Sequence, residues 1–210
     1  MKKESAVYTI LFMVVLSLVL SSVLGFVSSF TKERIEVNLT AIRAKAILEA
    51  VGMNVDEMDL REIEKTFREK IQIDEFDGRR VYLTSVDGRR IYAFEYTGSG
   101  LWGLILAVIA LDESFERLAG ISFVRHSETP GLGGRIDENW FKKQFSRKKL
   151  ASSYPYLTFA TNVAKPGNYD PEDPTVDAIT GATGTSKAVE RLVNEAIKQW
   201  KPILMDRYGR

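Results

Sequence analysis

Thr180, Thr183, Thr185 and Ser186 place four hydroxyl side chains within seven positions, beside Gly181, Ala182 and Gly184. A carboxylate, Asp177, precedes them, and an amphipathic stretch follows. The N-terminus of a helix presents N–H groups without intrahelical acceptors and the positive end of its dipole, which suits a phosphate. Gly181 and Ala182 allow a ligand close to the backbone. A plainer reading makes Thr185 or Ser186 the N-cap of the last helix. A Walker loop is excluded, because no Gly-Lys-Ser/Thr follows at the required spacing.

Two further stretches carry candidate chemistry. His126-Ser-Glu128-Thr129-Pro130-Gly131-Leu132-Gly133-Gly134 follows a predicted strand. Thr129-Pro130-Gly131 has the composition of a tight turn. Glu128 and His126 at a strand end, beside Leu132, could line a ligand, and as a pair they raise a hydrolase as one alternative. That alternative has no Gly-x-Ser-x-Gly nucleophile to serve it. The other stretch, Gly98-Ser-Gly-Leu-Trp102-Gly-Leu104, reads as a glycine turn opening a strand. Trp102 offers a flat wall to an aromatic ligand, or a core side chain.

The chain as a whole narrows the chemistry. Its 210 residues contain no cysteine and one histidine, which excludes disulfides, thiolate catalysis, cysteine-ligated clusters and multi-histidine metal sites. Redox chemistry would therefore need an organic cofactor. A net charge of +1 does not indicate a nucleic-acid surface. No charge occurs between Glu4 and Lys32, a run long enough to span a bilayer and too long for the apolar region of a cleaved signal peptide. Lys2 and Lys3 precede it and Lys32, Arg34, Arg43 and Lys45 follow, so flanking charge does not fix orientation.

The remaining elements must position the candidates. Ile35, Leu39, Ile42, Ala46 and Leu48 keep helical spacing up to Val51. Asp59-x-x-Glu62 has capping-box form and leads a second helix carrying Ile63, Phe67 and Ile71. From Arg79 the chain is rich in Val, Tyr, Ile and Phe around an Asp87–Gly88 hairpin turn. Leu101–Asp112 and Arg117–His126 complete an antiparallel meander of about four strands. A short helix is expected over 139–145 and a loop over about 164–175. A last helix should start near Thr185 and bury Val189, Leu192, Val193, Ala196, Ile197 and Trp200. The fold class is α+β, with domains expected at 1–31 (anchor), 32–75 (helical connecting segment) and 76–210.

In this order, behind a single anchor, these motifs resemble the covalently flavinylated, membrane-anchored subunits of ion-pumping redox complexes. These are the G subunit of Rnf-type ferredoxin:NAD+ oxidoreductases, to which the sequence is most similar, and the C subunit of sodium-pumping NADH:quinone oxidoreductases. The family pattern Asp-x-x-Ser/Thr-Gly-Ala-Thr reads here Asp177-Ala-Ile-Thr180-Gly181-Ala182-Thr183, and Glu128–Gly133 matches its Glu-Thr-Pro-Gly-Leu-Gly segment. Gly184 stands where the family usually has an apolar residue such as isoleucine, which loosens the helix entrance without removing the acceptor.

The resemblance implies an FMN-binding domain over 76–210 and FMN joined by a phosphoester to Thr183. It implies a Mg2+-dependent flavin transferase that uses FAD and reads Asp177. Backbone groups from Thr180 to Ser186 would hold the phosphate. Glu128, Thr129, Pro130, Gly131, Leu132 and Gly133 would form part of the flavin pocket. Leu132 and Trp102 are candidate ring contacts, and Lys142 or Lys165 candidates near the phosphate or ring. No catalytic residue and no metal site are expected. The chain would be an electron carrier among other membrane and peripheral subunits, in lipid, with its FMN domain on the outer side of the cytoplasmic membrane. A membrane-anchored FMN-binding sensor is the alternative outside the redox complexes.

Overall fold

The computed structural model describes residues 5–161 and 167–209 of the chain, so Lys165 lies outside the described residues. The chain falls into two units, Met1–Thr40 and Ala41–Arg210. The first helix, α1 (Ser5–Ala50), contributes to both.

Within the first unit, Val7–Thr31 is long and apolar enough to cross a membrane. Its large apolar side chains, such as Leu11, Phe12 and Val19, are exposed. A helix facing lipid must satisfy its polar groups internally. Ser22 Oγ donates to Leu18 O at 2.7 Å and Thr31 Oγ1 to Val27 O at 2.8 Å.

The second unit is built on a five-stranded antiparallel sheet in chain order: β1 (Gln72–Phe76), β2 (Arg79–Val86), β3 (Arg89–Ser99), β4 (Leu104–Asp112) and β5 (Leu118–Arg125). The apolar pattern indicates about four strands, and β1 is the addition. Asp77–Gly78 joins β1 to β2 as Asp87–Gly88 joins β2 to β3, each pair at positive φ (49° and 69°; 52° and 75°) as a tight hairpin turn requires. Gln72-Ile-Asp-Glu-Phe lies at the sheet edge and is mostly polar, so it lacks the apolar signal of its neighbours.

The apolar run of β4 has a physical reason. Ile105, Ala107, Ile109 and Leu111 point into one core, and Val108 and Ala110 into another on the opposite face. Helix α4 (Thr183–Tyr208) and the short helix α3 (Asn139–Lys143) cover the first face. Trp200 of α4 stacks on Phe94 of β3 with ring centroids 4.6 Å apart. The C-terminal part of α1 and the helix α2 (Leu60–Lys70) cover the second face through Ile47, Leu48 and Ile63. The expected connecting segment 32–75 is thus part of this unit from Ala41 onward, because Ala44, Ile47, Leu48, Val51 and Ile63 have a sheet face to bury.

Two glycines record close packing. A β-carbon on Gly120 of β5 would lie 2.7 Å from Ala50 O, and one on Gly98 of β3 would lie 3.0 Å from the Leu192 side chain. The Asp59 capping box forms as expected, Asp59 Oδ1 accepting from Glu62 N at 2.8 Å and Glu62 Oε2 from Asp59 N at 3.1 Å. A parallel pair, β6 (Thr158–Ala160) and β7 (Thr175–Asp177), was not legible, since three residues are too few to show a period.

Candidate functional site

The antiparallel sheet brings the three candidate stretches together. The β3–β4 turn and the end of β5 lie at one end of it, since Ser99 pairs with Leu104 and Leu106 with Arg125. The β3–β4 turn closes through Gly100 N donating to Gly103 O at 2.7 Å. Leu101 and Trp102 therefore sit in a turn, not in the strand their apolar neighbours suggested.

Glu128 joins that turn to the start of α4. It is only 4% exposed. Its Oε1 accepts from Leu101 N at 2.8 Å and Trp102 N at 3.2 Å, while its Oε2 accepts from Thr185 Oγ1 at 2.5 Å. Both oxygens are thus engaged by the protein, so Glu128 braces the site from behind. The glycines around it are explained by the same carboxylate. A β-carbon on Gly100 would collide with Glu128 Oε1, and one on Gly133 would collide with Thr185 Oγ1 and lie 2.9 Å from Glu128 Oε2.

Helix α4 starts at Thr183, two residues before the expected Thr185. Its N-cap, Ala182, makes no side-chain bond. Thr185 and Ser186 are not caps but buried first-turn residues. Ser186 Oγ donates to Ala182 O at 3.0 Å and accepts from Ile179 N at 3.0 Å. With the hydroxyl caps turned inward, the first-turn N–H groups are left to other partners, as at any helix start. Thr180, Gly181, Thr183 and Gly184 are exposed and Ala182 is buried. Gly181 has φ 80°, a conformation that favours glycine.

Apolar side chains flank this exposed turn. Leu101 approaches Gly184, where a β-carbon would lie 3.1 Å from its Cδ1, and Leu132 approaches Gly181, at 3.5 Å on the same basis. Leu101 is 55% exposed, Leu104 57%, Leu132 47% and Trp102 70%, so Trp102 is not a core residue. Leu101 and Leu104 were not singled out in the sequence; inside an apolar run they read as strand core. Thr129, Pro130 and Gly131 form the turn beyond Glu128, Gly131 at φ 75°. Thr129 O accepts from Leu132 N at 3.1 Å and Gly134 N at 2.9 Å.

His126 does not pair with the Glu128 carboxylate. Its Nε2 meets Asp137 Oδ2 at 2.8 Å, and its Nδ1 accepts from Glu128 N at 3.2 Å. The bond to Asp137 holds the imidazole pKa above its ordinary value against the opposing effect of burial. The His126–Glu128 dyad required by a hydrolase is therefore not assembled. Lys142 is also otherwise engaged: its Nζ donates to Glu49 Oε2 at 2.6 Å, and Ser122 Oγ donates to the same oxygen at 2.6 Å.

Asp177 ends β7 and is 7% exposed. Its Oδ2 accepts from Gly167 N at 2.8 Å. Gln144, fully buried, accepts from Asp177 N at 2.7 Å and Asn168 N at 2.9 Å, and donates to Asp177 O at 3.2 Å.

Thr183 is thus an exposed residue at a helix start, with Leu101 and Leu132 against its glycine neighbours. Residues 100–198 match the family model of the FMN-binding domain. The chain is 37% identical over 98 residues to the C subunit of the Na(+)-translocating NADH-quinone reductase of Yersinia pestis, covering 46% of this chain and 36% of that protein. It is 37% identical over 101 residues to the Pseudomonas aeruginosa counterpart, covering 46% and 38%. The match thus spans well under half the length of these relatives. The crystal structure of the C subunit of the Na(+)-translocating NADH-quinone reductase from Parabacteroides distasonis superposes with TM-score 0.65 at 25% identity, over 80% of this chain and 94% of that one. The NqrC structure from Shewanella oneidensis shares the fold, with TM-score 0.61 at 19% identity, over 73% and 89%.

Proposed function

We propose, from the premise that residues 100–198 are an FMN-binding domain of the family that includes these C subunits, that the chain is a membrane-anchored electron carrier with FMN esterified to Thr183. The observation that carries the reading is the exposed Thr183 at the first residue of α4, flanked by Leu101 and Leu132. The relatives are C subunits of Na(+)-translocating NADH-quinone reductases. They favour an assembly of the quinone-reductase type over the Rnf-type complex to which the sequence is expected to be most similar.

In maturation the Thr183 Oγ forms a bond to the flavin-side phosphorus of FAD. The pyrophosphate bond breaks, AMP leaves with the bonding electron pair, and the hydroxyl proton passes to solvent. A threonine hydroxyl is a weak nucleophile and needs an external base or metal, supplied by a Mg2+-dependent transferase. First-turn N–H groups of α4 would hold the phosphodiester by hydrogen bonds and the helix dipole. Leu101, Leu132 and Trp102 would line it, and Glu128 ties the β3–β4 turn to α4. When bound, FMN supplies one- and two-electron transfer, which no side chain of this chain can perform. The apolar helix Val7–Thr31, long enough to span a bilayer, would hold the domain at the cytoplasmic membrane, and the family resemblance is the ground for placing it on the outer face beside partner subunits.

The test is purification of the tagged full chain from its own membranes in mild detergent. Co-purification with multi-spanning redox subunits, and flavin reduced on adding NADH, is the expected result. A flavin-loaded chain that purifies alone would point to an anchored FMN sensor instead.

A further inference from the structure

We infer that the transferase modifies Thr183 in an opened form of the domain, and that Gln144 is the lock that must release for it. The inference rests on the proposed function, in which AMP leaves FAD as Thr183 Oγ takes the flavin-side phosphorus, and on the expectation from the family resemblance that the transferase reads Asp177.

The fold splits that stretch in two. Thr180, Gly181, Thr183 and Gly184 are exposed, whereas Val176, Asp177, Ala178 and Ile179 are buried. An enzyme approaching the closed domain reaches the acceptor but not the aspartate. The Asp177 carboxylate is already bound to Gly167 N, and its backbone N–H and C=O are both taken by the Gln144 amide. Ala178 N donates to Ala160 O at 2.8 Å, extending the β6–β7 pairing, and Ile179 N is taken by Ser186 Oγ. The second wall of the lock is also tied down: Asn168 N donates to Gln144, and buried Lys148 donates from Nζ to Asn168 O at 3.0 Å and Asp170 O at 2.7 Å. Reading Asp177 therefore requires a local opening in which the Gln144 bonds break. Such openings occur at free energies below global unfolding. Gln144 contributes three of the bonds, and a net hydrogen bond changes an equilibrium by roughly fivefold. Removing them should raise the open population, and with it the transfer rate, by at least about tenfold and up to about a hundredfold.

Asn194 supplies a matched control. It is also buried, accepts from Tyr156 N at 2.7 Å and Leu157 N at 3.1 Å, and donates to Leu157 O at 2.8 Å, all outside the acceptor stretch. The experiment follows flavin incorporation into the purified apo full chain in detergent, with FAD, Mg2+ and a purified flavin transferase, below every variant's melting temperature. Gln144→Ala should take flavin at least about tenfold faster than wild type, and Asn194→Ala at the wild-type rate. Equal or slower transfer to Gln144→Ala, or equal acceleration by Asn194→Ala, overturns the inference. If Gln144→Ala does not fold, a cysteine pair decides. Thr158 and Thr175 face each other in the β6–β7 register, and the chain has no other cysteine. Thr158→Cys with Thr175→Cys, oxidised, should take flavin several-fold more slowly than the same protein reduced, and equal rates overturn the inference. Wild type taking no flavin under any condition would remove the proposed function itself. Wild type taking flavin, with Gln144→Ala no faster, removes only the lock.

Discussion

Replacing Glu128 by alanine should separate bracing from flavin contact. Three donors lose their acceptor: Leu101 N, Trp102 N and the Thr185 hydroxyl. Leu101 and Trp102 lie in an exposed turn, so water can reach their N–H groups, at about 0.5–1 kcal/mol each. Thr185 is buried, and its stranded hydroxyl costs about 1–3 kcal/mol. The total is about 3 kcal/mol, or a fall in melting temperature of about 10 °C for a unit of this size. Glu128→Gln keeps the shape: its carbonyl can accept from the two N–H groups and its amide can donate to Thr185 Oγ1. It loses charge assistance, and the Thr185 hydroxyl loses its acceptor although its oxygen gains a donor, together about 1–2 kcal/mol. Gly133→Ala drives a methyl between Glu128 and Thr185 and should resemble Glu128→Ala. The assay is thermal unfolding of the full chain in detergent, followed by tryptophan fluorescence. A melting temperature for Glu128→Ala indistinguishable from wild type, or Glu128→Gln as damaging as Glu128→Ala, would refute the reasoning.

Other expectations follow from the same contacts. Because Asp137 raises the pKa of His126, this pair stabilises the fold fully below the unfolded imidazole value of about 6.5 and loses that contribution as pH rises through the folded value. Asp137→Asn should therefore lower stability at about pH 5–6 and have little effect at about pH 9; an equal loss at both would contradict the assignment. His126→Ala should leave flavin loading intact, and loss of flavin in that variant, with the melting temperature unchanged, would reopen a direct role for the imidazole. Thr185→Val removes the hydroxyl that Glu128 accepts, so it should cost about 1–2 kcal/mol on denaturant unfolding while Thr183 still takes flavin. Gly184→Ala should stabilise the first turn of α4 by about 0.5 kcal/mol, provided exposed Leu101 shifts to admit the methyl; marked destabilisation would mean that Leu101 is fixed.

Much of this architecture could be read from residue order, for reasons that differ by element. The anchor, the Asp59 capping box and the apolar face of α4 are local patterns, and local patterns survive into the fold. Thr183, Glu128 and Leu132 stood out because small and polar residues gathered at helix and strand ends. What escaped was set by contacts far apart in the chain. Gln144 lies in a helix-end stretch with no motif, and only folding brings it to Asp177, 33 residues away. Leu101 stood in an apolar run read as strand and Trp102 was open between core and ligand wall, and the turn between Gly100 and Gly103 puts both in solvent. The glycines around Glu128 read as turn residues. Two of them make room for its carboxylate instead.

The central claim is covalent FMN on Thr183, and one measurement bears on it most directly. The full chain is expressed with an active flavin transferase, denatured in SDS, examined for flavin fluorescence on the protein band, and digested for mass spectrometry. Thr183→Val is run alongside. The account predicts fluorescence that survives denaturation, requires the transferase and is absent from Thr183→Val, with FMN mapped to the peptide containing Thr183. A non-fluorescent wild-type band, with the transferase shown active on another acceptor, or flavin mapped to Thr180 or Thr185, would contradict it.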